Sequence, residues 1–214
     1  MKAFIFDLDG TLVDTEPLND KHTDYLLRKL SAKPRLLSRS LRGLNAKETW
    51  TVLSEEYGLH QSIDELILIG RQSYIDYLSS QKFIPTTKGS LDLVQHLFER
   101  GFPLAIASSA NPKRIELLLD RSGMSQYFST IVSGDDVKRS KPAPDSYLLA
   151  AIKLGVDPKE CIAFEDATNG ICAAKKAKMY CIAYSSSSNT TENLAQADLI
   201  VSDLRDVIPI LGKI

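Results

Sequence analysis

Two aspartates separated by one residue, Asp7 and Asp9, are the side chains of this sequence best suited to chemistry. They follow the apolar run Ala3–Phe6, and Gly10 and Thr11 come directly after them. Residues two apart in an extended run point the same way, so both carboxylates can converge on one site. Burying them together is costly unless a cation or a shared proton relieves the repulsion. Mg²⁺ would relieve it, because this ion binds few carboxylates together with waters and phosphate oxygens.

The same run also fits a simpler interpretation, a strand end followed by two solvated aspartates in a turn. Further polar residues stand where later apolar runs end, and each has its own structural alternative. A serine there can belong only to the approach to a helix, a lysine to a surface loop, and an acidic pair to a solvated helix cap. These residues are Ser108, Ser109, Lys141, Glu165 and Asp166.

The elements that must position these residues alternate between short apolar strands and helices. The predicted strands cover residues 3–6, 102–107, 130–132, 161–164, 179–184 and 199–201. The predicted helices cover residues 90–100, 111–123, 144–154, 171–176 and 204–211, with a short one near Glu192. Nearly continuous apolar strands separated by helices indicate a parallel sheet covered on both faces. The sequence therefore predicts a doubly wound, Rossmann-like α/β core, which binds ligands beyond the carboxyl ends of its strands.

Residues 16–85 have a different pattern, with apolar periodicity typical of helices and little strand character. We expect them to form a helical domain inserted after the first strand. Residues 1–15 and 86–214 would then form the α/β core.

The ordered motifs resemble those of a known family. The run 7–15, Asp-Leu-Asp-Gly-Thr-Leu-Val-Asp-Thr, resembles the first motif of the haloacid dehalogenase superfamily of phosphohydrolases. Ser108 matches the second motif, Lys141 in Lys-Pro-Ala-Pro-Asp matches the third, and the pair Glu165–Asp166 matches the fourth. The resemblance covers essentially the whole chain.

The resemblance implies a catalytic role for each matched residue. Asp7 would attack phosphorus in line and carry the phosphoryl group as an aspartyl-phosphate, which divides one hard step into two. Asp9 would protonate the leaving oxygen and then deprotonate the water that hydrolyses the intermediate. Ser108, with Ser109, would bind the phosphoryl oxygens, and Lys141 would offset the negative charge there.

The resemblance also implies Mg²⁺ as the cofactor. Its ligands would be Asp7, the main-chain carbonyl of Asp9, and Asp166, with Glu165 helping directly or through a water.

Position 9 and the helical insert indicate the branch of the family. An aspartate at position 9 favours a phosphate ester with a poor leaving group, because family members that dehalogenate lack it. The insert resembles the mobile cap of the subclass that includes β-phosphoglucomutase and many sugar-phosphate phosphatases. We therefore expect a Mg²⁺-dependent phosphatase that hydrolyses a small phosphorylated metabolite such as a sugar phosphate.

Two alternatives remain open at this point. A β-phosphoglucomutase-type mutase would carry a histidine where Asn19 stands, and a cap arginine for which Gly43–Lys47 offers only Ala46 at the matching place. An uncharged asparagine cannot gate protons as an imidazole does. A catalytically silent binding protein is the second alternative, although every matched catalytic residue is present.

Composition limits the partners. A net charge of -1 gives no electrostatic basis for binding nucleic acid or an anionic membrane. No apolar run approaches the roughly 20 residues that span a bilayer. The three cysteines, Cys161, Cys172 and Cys181, lack metal-like spacing. We expect a cytoplasmic protein with reduced thiols that is a monomer or a weak homodimer and binds a small phosphorylated metabolite.

Overall fold

The structure is a computed structural model, and it describes residues 2–30, 46–187 and 189–212. Its sheet contains six parallel strands in the order β3-β2-β1-β4-β5-β6. The strands are β1 Ala3–Phe6, β2 Leu104–Ala107, β3 Thr130–Val132, β4 Cys161–Glu165, β5 Tyr180–Tyr184 and β6 Leu199–Val201. The helices are α1 Glu16–Lys29, α2 Ala46–Tyr57, α3 Ile63–Ser80, α4 Ser90–Glu99, α5 Pro112–Arg121, α6 Asp145–Leu154 and α7 Thr168–Lys176. This is the doubly wound α/β fold that the sequence predicts.

The register of β1 brings the candidate residues to one edge of the sheet. Phe6 lies opposite Ile106 of β2 on one side and Phe164 of β4 on the other. Because all three strands are parallel, their carboxyl ends share an edge, and the residues that follow Phe6 meet those that follow Ile106 and Phe164.

The core packs against both faces of β1. Ala3 and Ile5 belong to a buried apolar cluster that includes Ala150 of α6 and Ala174 of α7. The alternate residues of the strand point to the opposite face, where the rings of Phe6 and Phe164 stack with centroids 4.5 Å apart. Both faces of the strand are therefore buried, as its uninterrupted apolar sequence requires.

The chain forms two compact units, one of residues Met1–Glu16 and Lys82–Ile214, the other of residues Pro17–Gln81. The second unit is helical and has its own core, to which α1, α2 and α3 contribute Leu27, Trp50 and Leu66. Helix α3 begins with a capping box between Ser62 and Glu65. Within the described residues, no helix combines the length and apolar character that crossing a bilayer requires.

Two predicted helices differ in the structure. The short helix near Glu192 is absent, because the Glu192 carboxylate instead accepts hydrogen bonds from the backbone N–H and the hydroxyl of Thr168. This anchors the segment to the start of α7 as a turn. The last predicted helix is a 3₁₀ helix over Leu204–Ile210, and Pro209 inside it cannot donate an α-helical hydrogen bond.

Candidate active site

Asp7 extends β1 by one residue into the site. Its backbone N–H donates to the carbonyl of Phe164 over 2.9 Å, so the strand pairing continues to this position. Its side chain is largely buried, with 8% of the residue's surface exposed. The carboxylate therefore lies at the centre of the sheet edge, between the ends of β2 and β4.

Lys141 joins three groups at this edge. Its ammonium nitrogen donates to Oδ1 of Asp7 over 2.6 Å, to Oε1 of Glu165 over 2.6 Å and to the carbonyl of Ala107 over 2.9 Å. These contacts use all three of its N–H groups. The lysine comes from the loop before α6, where its peptide bond to Pro142 is cis. The side chain is 8% exposed, so its positive charge is fixed inside the site.

Glu165 is buried and hydrogen-bonded through both carboxylate oxygens. Besides Lys141, Oε1 accepts from the hydroxyl of Tyr147 over 2.8 Å, and Oε2 accepts from the backbone N–H of Asp166 over 3.2 Å. Gly170 of α7 packs directly against this carboxylate, and a Cβ at that position would overlap it. The glycine therefore leaves the space that the glutamate occupies.

Asp166 is positioned from three directions. Its Oδ1 accepts from the Thr11 hydroxyl over 3.1 Å, and its backbone carbonyl accepts from the side-chain amide of Asn189 over 2.8 Å. Gly10 approaches its carboxylate so closely that a Cβ would overlap Oδ2. The positive φ of 83° at Gly10 also favours glycine.

Three of these carboxylates could hold a metal ion. Asp7, Glu165 and Asp166 each offer an oxygen, and these oxygens lie within 4.8 Å of one another. Hard oxygen ligands in a small cluster suit Mg²⁺. The hydrogen bonds of the described residues leave Oδ2 of Asp7 and Oδ2 of Asp166 for such an ion, whereas both oxygens of Glu165 are already engaged. The donor set fits the cation, with Glu165 better placed to act through a water.

The electrostatics of the site also favour a cation. Burial raises the pKa of Asp7 to about 7, an effect that Lys141 partly offsets and the negative charge of Glu165 reinforces. Burial, followed by the charges of Asp7 and Glu165, raises the pKa of Asp166 well above its ordinary value. Burial alone would lower the pKa of Lys141, but Asp7 and Glu165 raise it overall. One ammonium group therefore faces three carboxylates. Their mutual repulsion opposes the ionisation of all three together unless a further cation binds.

Asp9 contacts a different cation. Its Oδ1 accepts a hydrogen bond from Nη2 of Arg114 over 2.5 Å, and each side chain is 27% exposed. The other predicted site residues make no hydrogen bond with the Asp9 side chain in the described part of the chain.

Ser108 lies at the end of β2, next to the carbonyl that Lys141 contacts. It is buried, its N–H donates to the carbonyl of Val132, and its Oγ accepts from the N–H of Ala110 over 3.1 Å. Ser109 is exposed, and within the described residues its side chain forms no hydrogen bond with the other predicted site residues. Asn111 caps α5, and its side chain accepts a hydrogen bond from the backbone N–H of Arg114.

Comparison with known proteins agrees with this geometry. Residues 4–184 match the family model described as haloacid dehalogenase-like hydrolase. The chain belongs to this family.

Similarity to members of the family extends over nearly the full chain. The validoxylamine A 7'-phosphate phosphatase of Streptomyces hygroscopicus subsp. limoneus is 32% identical over 207 residues, which cover 96% of this chain and 95% of the relative. The fructose-1-phosphate phosphatase YqaB of Escherichia coli strain K12 is 33% identical over 177 residues, which cover 83% of this chain and 93% of the relative. The crystal structure of β-phosphoglucomutase from Clostridium difficile superposes with a TM-score of 0.76 at 23% identity, and the match covers 100% of this chain and 96% of that one. The fold is thus that of the β-phosphoglucomutase-like members of the haloacid dehalogenase family.

Four residues of this haloacid dehalogenase site were not singled out from the sequence. Thr11 and Asn189 position Asp166, Tyr147 positions Glu165, and Arg114 contacts Asp9. Thr11 lies within the first motif, and its hydroxyl is the one signal in the sequence for such a donor. Tyr147 lies in an apolar stretch of α6 that predicts only packing. No polar residue at a strand end indicates that the Tyr147 hydroxyl contacts Glu165.

The two positions that bear on a mutase lie in the helical unit. Asn19 is half-buried in α1, where its carbonyl accepts from the hydroxyl of Thr23. Ala46 is the exposed first residue of α2. Residues 43–45 of the compared segment lie outside the described residues.

Proposed function

We propose that this protein is a Mg²⁺-dependent phosphatase that hydrolyses a small phosphorylated metabolite through an aspartyl-phosphate on Asp7. Membership of the family and its similarity to curated phosphatases make it a phosphoric monoester hydrolase. The proposal adds the nucleophile, the intermediate, the metal and the class of substrate.

One observation carries the proposal. Asp7 is held at the sheet edge with Oδ1 bound to Lys141, while no hydrogen bond of the described residues occupies its Oδ2. A fixed carboxylate next to a fixed ammonium group combines a nucleophile with a charge that stabilises the phosphoryl group. The Asp7 side chain keeps 11% of its surface exposed, so this second oxygen is available to a phosphoryl group or a metal ion at the sheet edge.

In the first half of the proposed reaction, an oxygen of Asp7 attacks phosphorus as the ester oxygen leaves. The bond between phosphorus and the ester oxygen breaks, and Asp9 gives its proton to that oxygen. The Ser108 hydroxyl, whose oxygen accepts from Ala110, retains its hydrogen for donation to a phosphoryl oxygen. We propose that Ser109 adds its backbone N–H to the same group. Lys141 offsets the developing charge without moving, since its contacts are already formed.

In the second half, water attacks the aspartyl-phosphate. Asp9, now ionised, takes a proton from that water as the bond between Asp7 and phosphorus breaks. The products are inorganic phosphate and the original carboxylate. Asp7 and Asp166, the Asp9 carbonyl and Glu165 through a water would hold the Mg²⁺. When bound, this ion neutralises part of the phosphoryl charge.

We further propose that residues 16–85 act as a cap that selects a sugar phosphate or a similar monoester. The resemblance of this segment to caps of the family supports the assignment, as does the sugar phosphate in the name of the Escherichia coli relative. We also propose a cytoplasmic enzyme with reduced thiols, consistent with the three free cysteines of the structure.

A hydrolysis screen tests the proposed function. Purified protein is incubated with phosphorylated sugars, polyols and nucleotides, and inorganic phosphate release is measured with Mg²⁺ or with EDTA. We expect turnover of at least one sugar or polyol monophosphate, its loss in EDTA and its loss in Asp7→Asn. Turnover that survives Asp7→Asn would exclude the nucleophile.

The same screen separates a phosphatase from a mutase. A mutase would need a sugar bisphosphate primer and would interconvert sugar phosphates faster than it released phosphate. The curated relatives named above are phosphatases, and Asn19 offers no imidazole. We therefore expect the primer to leave the rate of phosphate release unchanged.

A further inference from the structure

Arg114 is fixed at the first turn of the helix that follows β2. Asn111 caps α5, and its Oδ1 accepts from the backbone N–H of Arg114 over 2.9 Å. Buried side chains on the opposite face, among them Ile115 and Leu118, hold the helix against the core. The guanidinium group therefore extends from a rigid element next to the end of β1.

The loop that carries Asp9 is equally well fixed. The N–H of Gly10 donates to the carbonyl of Val13 over 2.8 Å, which closes the loop on itself. The hydroxyls of Thr87 and Ser90 donate to the carbonyls of Thr11 and Leu12 from the other side. The pair of Asp9 and Arg114 thus joins a rigid loop to the first turn of a rigid helix, and the contact is a feature of the folded core rather than of a mobile surface.

The two cations at the sheet edge have separate partners. Lys141 uses its three N–H groups on Asp7, Glu165 and a carbonyl. Arg114 contacts Asp9, and no other ion pair of the described residues involves this carboxylate. One cation is therefore assigned to the proposed nucleophile and the other to the proposed acid and base.

We infer that Arg114 is a positioning residue for Asp9, and that it makes the enzyme effective on esters whose leaving group needs a proton. The inference rests on the proposed function. A carboxyl group has two oxygens, and Arg114 holds Oδ1. This leaves Oδ2 to carry the proton, and the fixed geometry aims it at one place. General acid catalysis depends on such alignment, because the donor must lie within hydrogen-bond reach of the leaving oxygen.

The consequence depends on the leaving group. As the bond between phosphorus and the ester oxygen breaks, the electron pair stays on that oxygen, and the proton from Oδ2 of Asp9 neutralises it. A nitrophenolate leaves without this proton, because its conjugate acid has a pKa of about 7. Phenolate leaves poorly without it, because the pKa of phenol is about 10. Losing the alignment should therefore slow phenyl phosphate more than p-nitrophenyl phosphate.

The experiment compares these two aryl phosphates in Arg114→Gln, Arg114→Lys and a control, Lys113→Gln, and the change in their ratio relative to the wild type cancels their difference in size. Lys113 is the exposed neighbour and pairs only with Glu116 among the described residues. The readout is kcat/KM, which reports the steps up to phosphoryl transfer and excludes hydrolysis of the intermediate. We expect Arg114→Gln to lower kcat/KM for phenyl phosphate about 10-fold more than for p-nitrophenyl phosphate, a part of the 10²–10⁴ that general acids contribute. Arg114→Lys should recover part of the difference, and Lys113→Gln should leave the ratio unchanged.

Two further results decide between a positioning role and a structural one. In an Asp9→Asn background, the ratio is taken from the second-order rate of the single-turnover burst, and Arg114→Gln should cause no additional change in it, because the group it positions is gone. Equal losses on both substrates, or a ratio unchanged in Arg114→Gln, would overturn the inference while leaving the phosphatase intact. Failure of the wild type to hydrolyse either ester would instead contradict the proposed function.

Discussion

The ammonium nitrogen of Lys141 lies 2.6 Å from Oδ1 of Asp7 and 2.6 Å from Oε1 of Glu165. One buried cation thus bridges the ends of β1 and β4 and lies within the cluster suited to a metal. The same contacts serve stability and the proposed chemistry, because a carboxylate at this depth needs a charged partner in either case.

Replacing Lys141 with methionine should destabilise the fold as well as abolish activity. The change keeps most of the unbranched side chain but leaves Asp7 and Glu165 buried without their cation, a loss of about 3–5 kcal/mol in the free energy of unfolding. Urea denaturation measures it. Lys138→Met, at an exposed position, is the matched control and should unfold like the wild type. Equal unfolding midpoints for the two variants would show that the pair contributes nothing.

Gly10→Ala should impair metal binding beyond its effect on the backbone. Gly10 and Gly123 have similar positive φ angles, 83° and 73°, so alanine costs about 1–2 kcal/mol at either position. Only at position 10 does the new Cβ meet another group, the carboxylate of Asp166. We expect the loss of stability in Gly10→Ala to be at least as large as in Gly123→Ala, because the Asp166 carboxylate must also shift. A fall of about 10–100-fold in Mg²⁺ affinity, measured by titrating the melting temperature, should occur in Gly10→Ala alone. Identical Mg²⁺ responses would contradict this geometry.

Stabilisation by Mg²⁺ should depend on pH. In the metal-free fold the pKa of Asp7 is raised from 3.8 to about 7, chiefly by burial. Between these two values the folded protein keeps a proton that the unfolded chain releases, so this group's contribution to stability falls as pH rises through the window. A metal ion competes with that proton and gains affinity once the carboxylate ionises.

The rise in melting temperature on adding Mg²⁺ should therefore be larger at about pH 8 than at about pH 5. Asp7→Asn should reduce the difference without removing it, because the pKa of Asp166 is raised as well. Asp135→Asn, at an exposed position, serves as the control and should behave like the wild type. A rise that is the same at both pH values would show that the ion does not bind these carboxylates.

The sequence predicted the sheet well because its strands are short, apolar runs that must be buried on both faces. The shared edge of the sheet follows from the same pattern. Asp7 comes directly after β1, Glu165 is the last residue of β4, and Lys141 lies in the loop between β3 and α6. The sequence does not predict the contacts that hold these residues in place. Arg114 and Asp9 are 105 positions apart, and nothing local to a helix N-terminus indicates which loop its third residue will meet.

Tyr147 and Glu192 show two other limits. Tyr147 lies in an apolar stretch, so periodicity predicts packing and cannot reveal that its hydroxyl reaches Glu165. Around Glu192 the local sequence tolerates a helix, but the tertiary hydrogen bonds to Thr168 favour a turn. In both cases a partner distant in the sequence determines what the side chain binds. Patterns among neighbouring residues do not identify that partner.

Trapping the phosphoryl group tests the central claim, that Asp7 accepts it and passes it to water. The variant is Asp9→Asn and the substrate is p-nitrophenyl phosphate, whose leaving group needs no acid, so the first half of the reaction proceeds while the second lacks its base. We predict a burst of one nitrophenolate per enzyme and, after acid quench and peptide mass spectrometry, one phosphoryl group on Asp7. A wild type that hydrolyses this ester, together with a variant that shows no burst or carries the phosphoryl group on another residue, would contradict the account.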